Sequence, residues 1–241
     1  MGGVTADPSD AGDERLVRLA RIVTHGMRNP LAIASGMLDL VERQAGPQLD
    51  EDLRDLVRRS SEAIRRAADQ LLQLQRYTAA ARDDLVVEEV DLAEAIEAAL
   101  GDVDLDGATV VVGQPLPVLV ADRAAVERAL LEVLRNAARH GRRGGPPTIR
   151  VGAHDEGGAW AVTVDDDGPG IPADRREEAM AEGERLGRTG DGFGLGLPTA
   201  RILLRRHGGE ARLEEAEGGG LRAVLRWPKR PALLGEQVAQ G

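Results

Sequence analysis

The chain is predicted to be α+β, an antiparallel helical hairpin followed by an α/β sandwich. Three observations lead there. Over residues 13–81 the apolar residues recur at helical and heptad spacing, with one break at Gly46-Pro47. After Arg82-Asp83-Asp84 the pattern changes to short apolar runs of strand length mixed with amphipathic helical stretches, without regular strand–helix–strand alternation. Aromatics are only 2% of a chain that is 42% hydrophobic, so Leu, Val, Ile and Ala must fill the core.

Residues 1–12 are rich in Gly, Asp, Pro and Ser and read as a disordered start. The first stripe is Leu16, Leu19, Val23, Met27, Ala34, Leu38 and Val41, with steps of three, four and seven, and Gly46-Pro47 stops it. The second is Leu53, Val57, Ile64, Leu71, Leu74 and Thr78, whose heptad steps mark a bundle seam. A hairpin of this size has two apolar faces and only itself to cover them. Pairing two hairpins into a four-helix bundle buries both, so a homodimer is expected.

In the second domain, residues 82–230, Val86–Val90 reads as a strand and Leu92–Leu100 as a short helix. Thr109–Val112 and Val118–Val120 read as strands. Asp122–Arg139 is a helix with Val126, Leu130, Val133, Leu134 and Ala137 on its apolar face. Thr148–Ala153 and Trp160–Asp165 form a hairpin around Asp155-Glu156-Gly157-Gly158. Leu197–His207 is a helix ended by Gly208-Gly209. Ala211–Glu215 and Leu221–Trp227 make a last hairpin across Gly218-Gly219-Gly220, and residues 231–241 read as a tail.

Bulk properties narrow the chemistry. The net charge of −10 and the scarcity of aromatics argue against generic nucleic-acid binding. With no cysteine, disulfides, thiol catalysis and zinc–cysteine sites are excluded. No apolar run reaches the ~18 residues that span a bilayer, and the polar, acidic stretch Met1–Asp13 is no secretory signal. A cytoplasmic protein without membrane insertion is expected.

Four segments carry chemistry. His25 lies two residues from both Val23 and Met27. Two residues turn a helix by about 200°, so its imidazole points away from the stripe. Pro30 lacks an N–H and crowds the carbonyl of Gly26, which predicts a bend there. A neutral imidazole so exposed can act as a nucleophile towards phosphorus. Glu132 and Asn136 share one helix face, and the Asn amide oxygen suits Mg²⁺. Arg139 and His140 follow on the next turn; Arg139 either reaches a phosphate or solvates the helix end. Asp166-Asp167-Gly168-Pro169-Gly170 directly follows a strand, and its glycines allow close approach to a planar ligand. Gly190-Asp191-Gly192-Phe193-Gly194-Leu195-Gly196-Leu197 opens a helix, with Pro198 in its first turn. Free backbone N–H groups at such a start cradle phosphates.

Taken in this order, His25-Gly26-Met27-Arg28-Asn29-Pro30-Leu31, Glu132–Asn136, Asp166–Gly170 and Gly192–Leu197 resemble the core of the two-component sensor histidine kinases. The resemblance runs from roughly Arg15 to Trp227. It implies a dimerisation and phosphoacceptor hairpin followed by a GHKL-type ATP-binding domain. It implies ATP and Mg²⁺, with His25 as phosphoacceptor and Asp166 reading adenine while Gly168 and Gly170 make the turn. Glu132 and Asn136 would serve the metal, with Glu132 either on a metal-linked water or as a base. Arg139, His140, Gly192, Gly194, Leu195, Gly196 and Leu197 would line the nucleotide. The implied partner is the receiver domain of a response regulator. Asn29 matches the position that orients water for dephosphorylating that partner. The chain departs from the family at Gly26, where a Glu or Asp accepts the imidazole proton. It departs again in Ala173–Thr189, the expected lid over ATP with Arg185 and Arg188, which lacks the family's phenylalanines. The alternative expectation is a catalytically weak or phosphatase-biased adaptor that binds a regulator through the hairpin.

Overall fold

The computed structural model describes residues 8–45, 48–105, 107–141, 145–181, 183 and 194–231, with the backbone alone for 8–25. The chain divides into two compact units, the second beginning at Ala80.

The N-terminal unit is two helices, α1 (Pro8–Ala45) and α2 (Glu51–Arg82). Helix α1 begins at Pro8, ahead of the expected start at 13, so 8–12 is helical rather than disordered; proline suits the first helical position because its missing N–H has no partner there anyway. The helix continues through Pro30 as one element. Helix α2 starts where Asp50 accepts the N–H of Leu53 (2.8 Å), with Glu51 and Asp52 complementing the helix dipole. The Arg65 guanidinium donates to Asp39 across the two helices (3.0 Å). Leu31, Ala32 and Ser35 share a cleft of about 290 Å³ with Ile64, Ala68 and Leu71, as antiparallel neighbours do. The seam residues Leu38, Ile64, Leu71 and Leu74 are half-buried, and Thr78 is buried. Met27, Val41 and Leu53, read as stripe members, stay exposed, because one hairpin covers only one side of each helix.

In the C-terminal unit, β1 (Val87–Asp91) pairs antiparallel with β3 (Val118–Asp122) as a separate ribbon, linked through α3 (Leu92–Gly101) and β2 (Thr109–Val112). The main sheet has the order β2-β4-β5-β7-β6, with β4 Thr148–Asp155, β5 Ala159–Asp165, β6 Glu210–Glu215 and β7 Leu221–Pro228. Its β2–β4 pair is parallel and the rest antiparallel. One sheet face carries Ile149, Val151, Val162, Val164, Leu225 and Trp227 into a core shared with Val126, Leu130 and Leu134 of α4 (Arg123–His140) and Leu203 and Leu204 of a later helix, Gly196–Arg206. The other face is a lattice of ion pairs. Arg222 makes a two-pronged contact with Asp165 (2.8 and 2.7 Å), and Arg226 holds Glu156 (2.7 Å).

Two pieces went unforeseen, a 3-10 turn Ala173–Arg175 and α5 (Arg176–Ala179), which makes the Gly196–Arg206 helix α6. The lid segment begins as packed structure here: Ala179 and Met180 are buried, and Arg176 donates to the Ile171 carbonyl (2.9 Å). Gly192, Arg185 and Arg188 lie outside the described residues, as does the tail beyond Pro231.

Candidate nucleotide site and phosphoacceptor helix

Helix α4 is fixed at its start by Asp122, whose Oδ1 accepts the N–H of Ala125 (2.8 Å) and Oδ2 that of Val86 (2.7 Å). The Asp122 N–H donates to His207 Nε2 (3.1 Å), which makes Nδ1 of that ring the donor to the Leu203 carbonyl (2.7 Å). His207 is fully buried edge-on against Trp227, with ring centroids 5.0 Å apart, and burial lowers its pKa. So anchored, α4 presents Glu132, buried, and Asn136, half-buried one turn later.

Helix α6 starts against that face. A Cβ on Gly196 would lie 3.1 Å from Glu132 Oε2, so only glycine lets the backbone come this close. Leu195, at the N-cap, gives the helix no side-chain cap, which leaves its first N–H groups for a ligand. Thr199 donates its hydroxyl to the Leu195 carbonyl (2.5 Å) and holds this turn shut. Gly194 takes φ +68, as a turn into the helix requires. Leu195 is buried and Leu197 half-buried.

Asp166 sits just past β5, only 4% exposed. Its Oδ1 accepts the N–H groups of Gly168 (2.9 Å) and Leu221 (3.1 Å). Burial pushes the carboxyl pKa up, and those two bonds oppose it. The end of α4 closes on this loop: a Cβ on Gly168 would meet the His140 carbonyl at 2.5 Å, and one on Gly141 the Asp166 Cβ at 3.1 Å. Gly170 (φ +70) abuts the Gly220 carbonyl, and a Cβ on Gly220 (φ +97) would overlap the Asp166 carbonyl oxygen. Asp167 accepts the Thr148 N–H (3.0 Å), which ties the loop to β4. Arg139 and His140 are exposed at the rim. Partial loss of water around the ring, and Arg139 beside it, lower the His140 pKa, while Asp166 raises it.

The structure thus gathers Glu132, Asn136, Gly196, His140, Asp166 and Gly168 around the second half of α4. Sequence reasoning missed Gly141, Gly220, Asp167 and Thr199. The available signal was the triple glycine, read only as a hairpin turn; Gly218, Gly219 and Gly220 all take positive φ.

His25 lies on α1, and its side chain is outside the described residues. Gly26, Arg28 and Asn29 after it are exposed, and a Cβ on Gly26 would meet nothing within 4 Å. Among the described residues no helix is long and apolar enough to cross a membrane, and no group of three His, Cys, Asp or Glu is arranged for a metal.

Both parts of the chain resemble known proteins. Residues 15–80 match the family described as His Kinase A (phospho-acceptor) domain. Residues 121–231 match the histidine kinase-, DNA gyrase B- and HSP90-like ATPases. The sensor histidine kinase GtrS of Pseudomonas aeruginosa is 31% identical over 88% of this chain and 42% of its own length. The sensor-type histidine kinase PrrB of Mycobacterium bovis is 30% identical over 87% of this chain and 47% of its own. The chain therefore spans less than half the length of these curated relatives. The fold also matches the crystal structure of full-length ShkA in complex with AMPPNP, with a TM-score of 0.65 at 23% identity, over 89% of this chain and 46% of that one. With a phosphoacceptor-type hairpin at 15–80 and a histidine kinase-type ATPase domain at 121–231 in one polypeptide, in the expected order, the chain is a histidine kinase core of the two-component type.

Proposed function

We propose that this chain binds ATP with Mg²⁺ in its C-terminal domain, transfers the γ-phosphoryl group to His25, and passes it on to an aspartate in the receiver domain of a response regulator. The observation that carries the reading is the socket around Asp166. One carboxylate oxygen is held by two backbone N–H groups, and the other is left to accept from the adenine amino group. Gly168, Gly170 and Gly220 let the backbone close tightly around this carboxylate, since a Cβ on each would strike a neighbouring carbonyl oxygen.

At the phosphate end, the start of α6 from Gly194 to Leu197 offers backbone N–H groups and a positive dipole end, with Gly192 ahead of it and Arg139 and His140 at the rim. Glu132 and Asn136 fit Mg²⁺, since both are oxygen donors and Glu132 is buried against the α6 start. The metal would neutralise phosphate charge and take its remaining ligands from phosphates and water. In the transfer, the bond from the γ-phosphorus to the ADP oxygen breaks as one from phosphorus to an imidazole nitrogen of His25 forms. The imidazole proton leaves to water, because Gly26 carries no carboxylate to take it. Positioning and charge neutralisation supply most of such catalysis, so the reaction proceeds, more slowly. The working form is a homodimer in the cytoplasm, where ATP is at hand, and nucleic acid has no role. Label from γ-³²P-ATP should appear on the wild type and vanish in His25→Ala; label that survives this substitution refutes the assignment.

Gly26 also favours a second reading, a weak or phosphatase-biased adaptor in which Asn29 orients water on a phosphorylated partner. Tight ATP binding without label on His25, together with faster loss of phosphate from a receiver domain, would select it.

A further inference from the structure

The last turn of α2 belongs to the C-terminal unit, although the helix runs unbroken past the division at Ala80. Ala80 is buried in that unit's hydrophobic core. Its carbonyl is among the last four of α2, which find no partner within the helix. Arg206, the final residue of α6, supplies one. Its Nη1 donates to the Ala80 carbonyl (2.9 Å) and its Nη2 to the Asp83 carbonyl (2.7 Å). A single planar guanidinium thus spans the helix end and the residue just beyond it. Three residues on, the Val86 N–H is held by Asp122, the cap of α4. His207, next to Arg206, fixes the Asp122 backbone in turn. The segment 80–86 is therefore no free tether. It is bonded to the end of α6 and the start of α4, the two helices whose other portions carry Gly196, Glu132 and Asn136.

We propose that Arg206 is a positioning residue for phosphoryl transfer: it latches the exit of α2 onto the end of α6, so that the helix whose start holds the phosphates also sets the joint leading to the hairpin. This rests on the kinase reading above. Arg206 touches no part of the nucleotide site. Ten residues of helix separate it from Gly196, roughly 15 Å of rise.

The test uses the full chain with Arg206→Ala and Arg206→Lys. Amide hydrogen exchange over residues 83–87 should speed up in Arg206→Ala. Affinity for Mg·ATP, measured by calorimetry, should stay within about twofold of wild type. The single-turnover rate of His25 labelling at saturating ATP should fall roughly ten- to hundredfold, as when reacting groups lose their alignment. Arg206→Lys, with one cationic donor set in place of the fork, should fall between. Unchanged exchange, an unchanged or faster labelling rate, or a parallel loss of ATP affinity and rate each overturns the proposal. A wild type that binds no ATP or takes no label overturns the kinase reading and this role with it, while the exchange result still reports whether the latch exists.

Discussion

At Asp166 the backbone and the side chain make competing demands, and the glycines around it resolve them. Gly220 approaches so closely that a methyl group there would overlap the Asp166 carbonyl, and its φ of +97 is one that other residues adopt only under strain. Gly220→Ala should therefore cost on the order of 2 kcal/mol, read by denaturant unfolding, and weaken ATP binding as the socket shifts. Charge at Asp166 makes a second demand. Burial raises its pKa above the ordinary 3.8, so the folded chain holds this proton more tightly than the unfolded one. Its contribution to stability is thus full below 3.8 and is lost as pH rises through the folded value. On the adenine-reading role proposed for Asp166, nucleotide affinity would run the opposite way, because the amino group would need the ionised acceptor. ATP affinity measured by calorimetry should climb with pH through a midpoint above 3.8, and Asp166→Asn should remain weak and flat across that range. At Gly26 the space is open, with nothing within 4 Å of an added Cβ. Gly26→Glu should accordingly fold, restore a proton acceptor beside His25, and raise the initial rate of labelling by roughly 10²-fold, the scale of general-base catalysis. A rate that stays put would mean that proton removal does not limit the reaction.

Among elements, those with strong local signals were legible. The helix Arg123–His140 declared itself through its apolar face, and the β4–β5 hairpin through the turn at Asp155–Gly158. Pairings between distant segments were not. The parallel β2–β4 pair and the β1–β3 ribbon join strands separated by a helix, and no short-range pattern encodes that. The site divided along the same line. Asp166, Glu132 and Asn136 stood in motifs, whereas Gly141 and Gly220 matter only because the fold carries them to Asp166. His207 belongs with these. It read as the end of a helix, yet it joins α6 to the start of α4 from the core. Burial lowers its pKa from 6.5, so the fold favours the neutral ring. Its contribution to stability is present above 6.5 and is lost as pH falls through the depressed folded value. The free energy of unfolding should therefore drop on acidification below 6.5. His207→Phe should remove that component of the slope, at a cost of about 1–3 kcal/mol at neutral pH because the Asp122 N–H loses its acceptor. Equal slopes in the two proteins would show that the ring takes up its proton equally in the folded and unfolded states.

For the molecule as a whole, the two units meet their apolar surface differently. The C-terminal unit buries its own core, from Ala80 through Leu134 to Trp227. The hairpin does not. Ile33 (51% exposed), Met37 (64%), Leu40 (53%) and Leu56 (60%) stand on helices whose facing sides are already in use. So many large apolar side chains on one pair of helices form a patch that water disfavours and a second hairpin would cover. The full chain should therefore sediment at twice its 25.6 kDa. Putting charge on the patch, with Met37→Glu and Leu56→Glu together, should leave the helical content intact and yield monomers, since two buried carboxylates per chain cannot be accommodated without partners. ATP affinity should survive the double substitution, because the nucleotide site is built wholly from the unit that needs no partner for its core. A wild type that sediments as a monomer would remove the dimer and leave the hairpin's exposed face to the receiver domain alone.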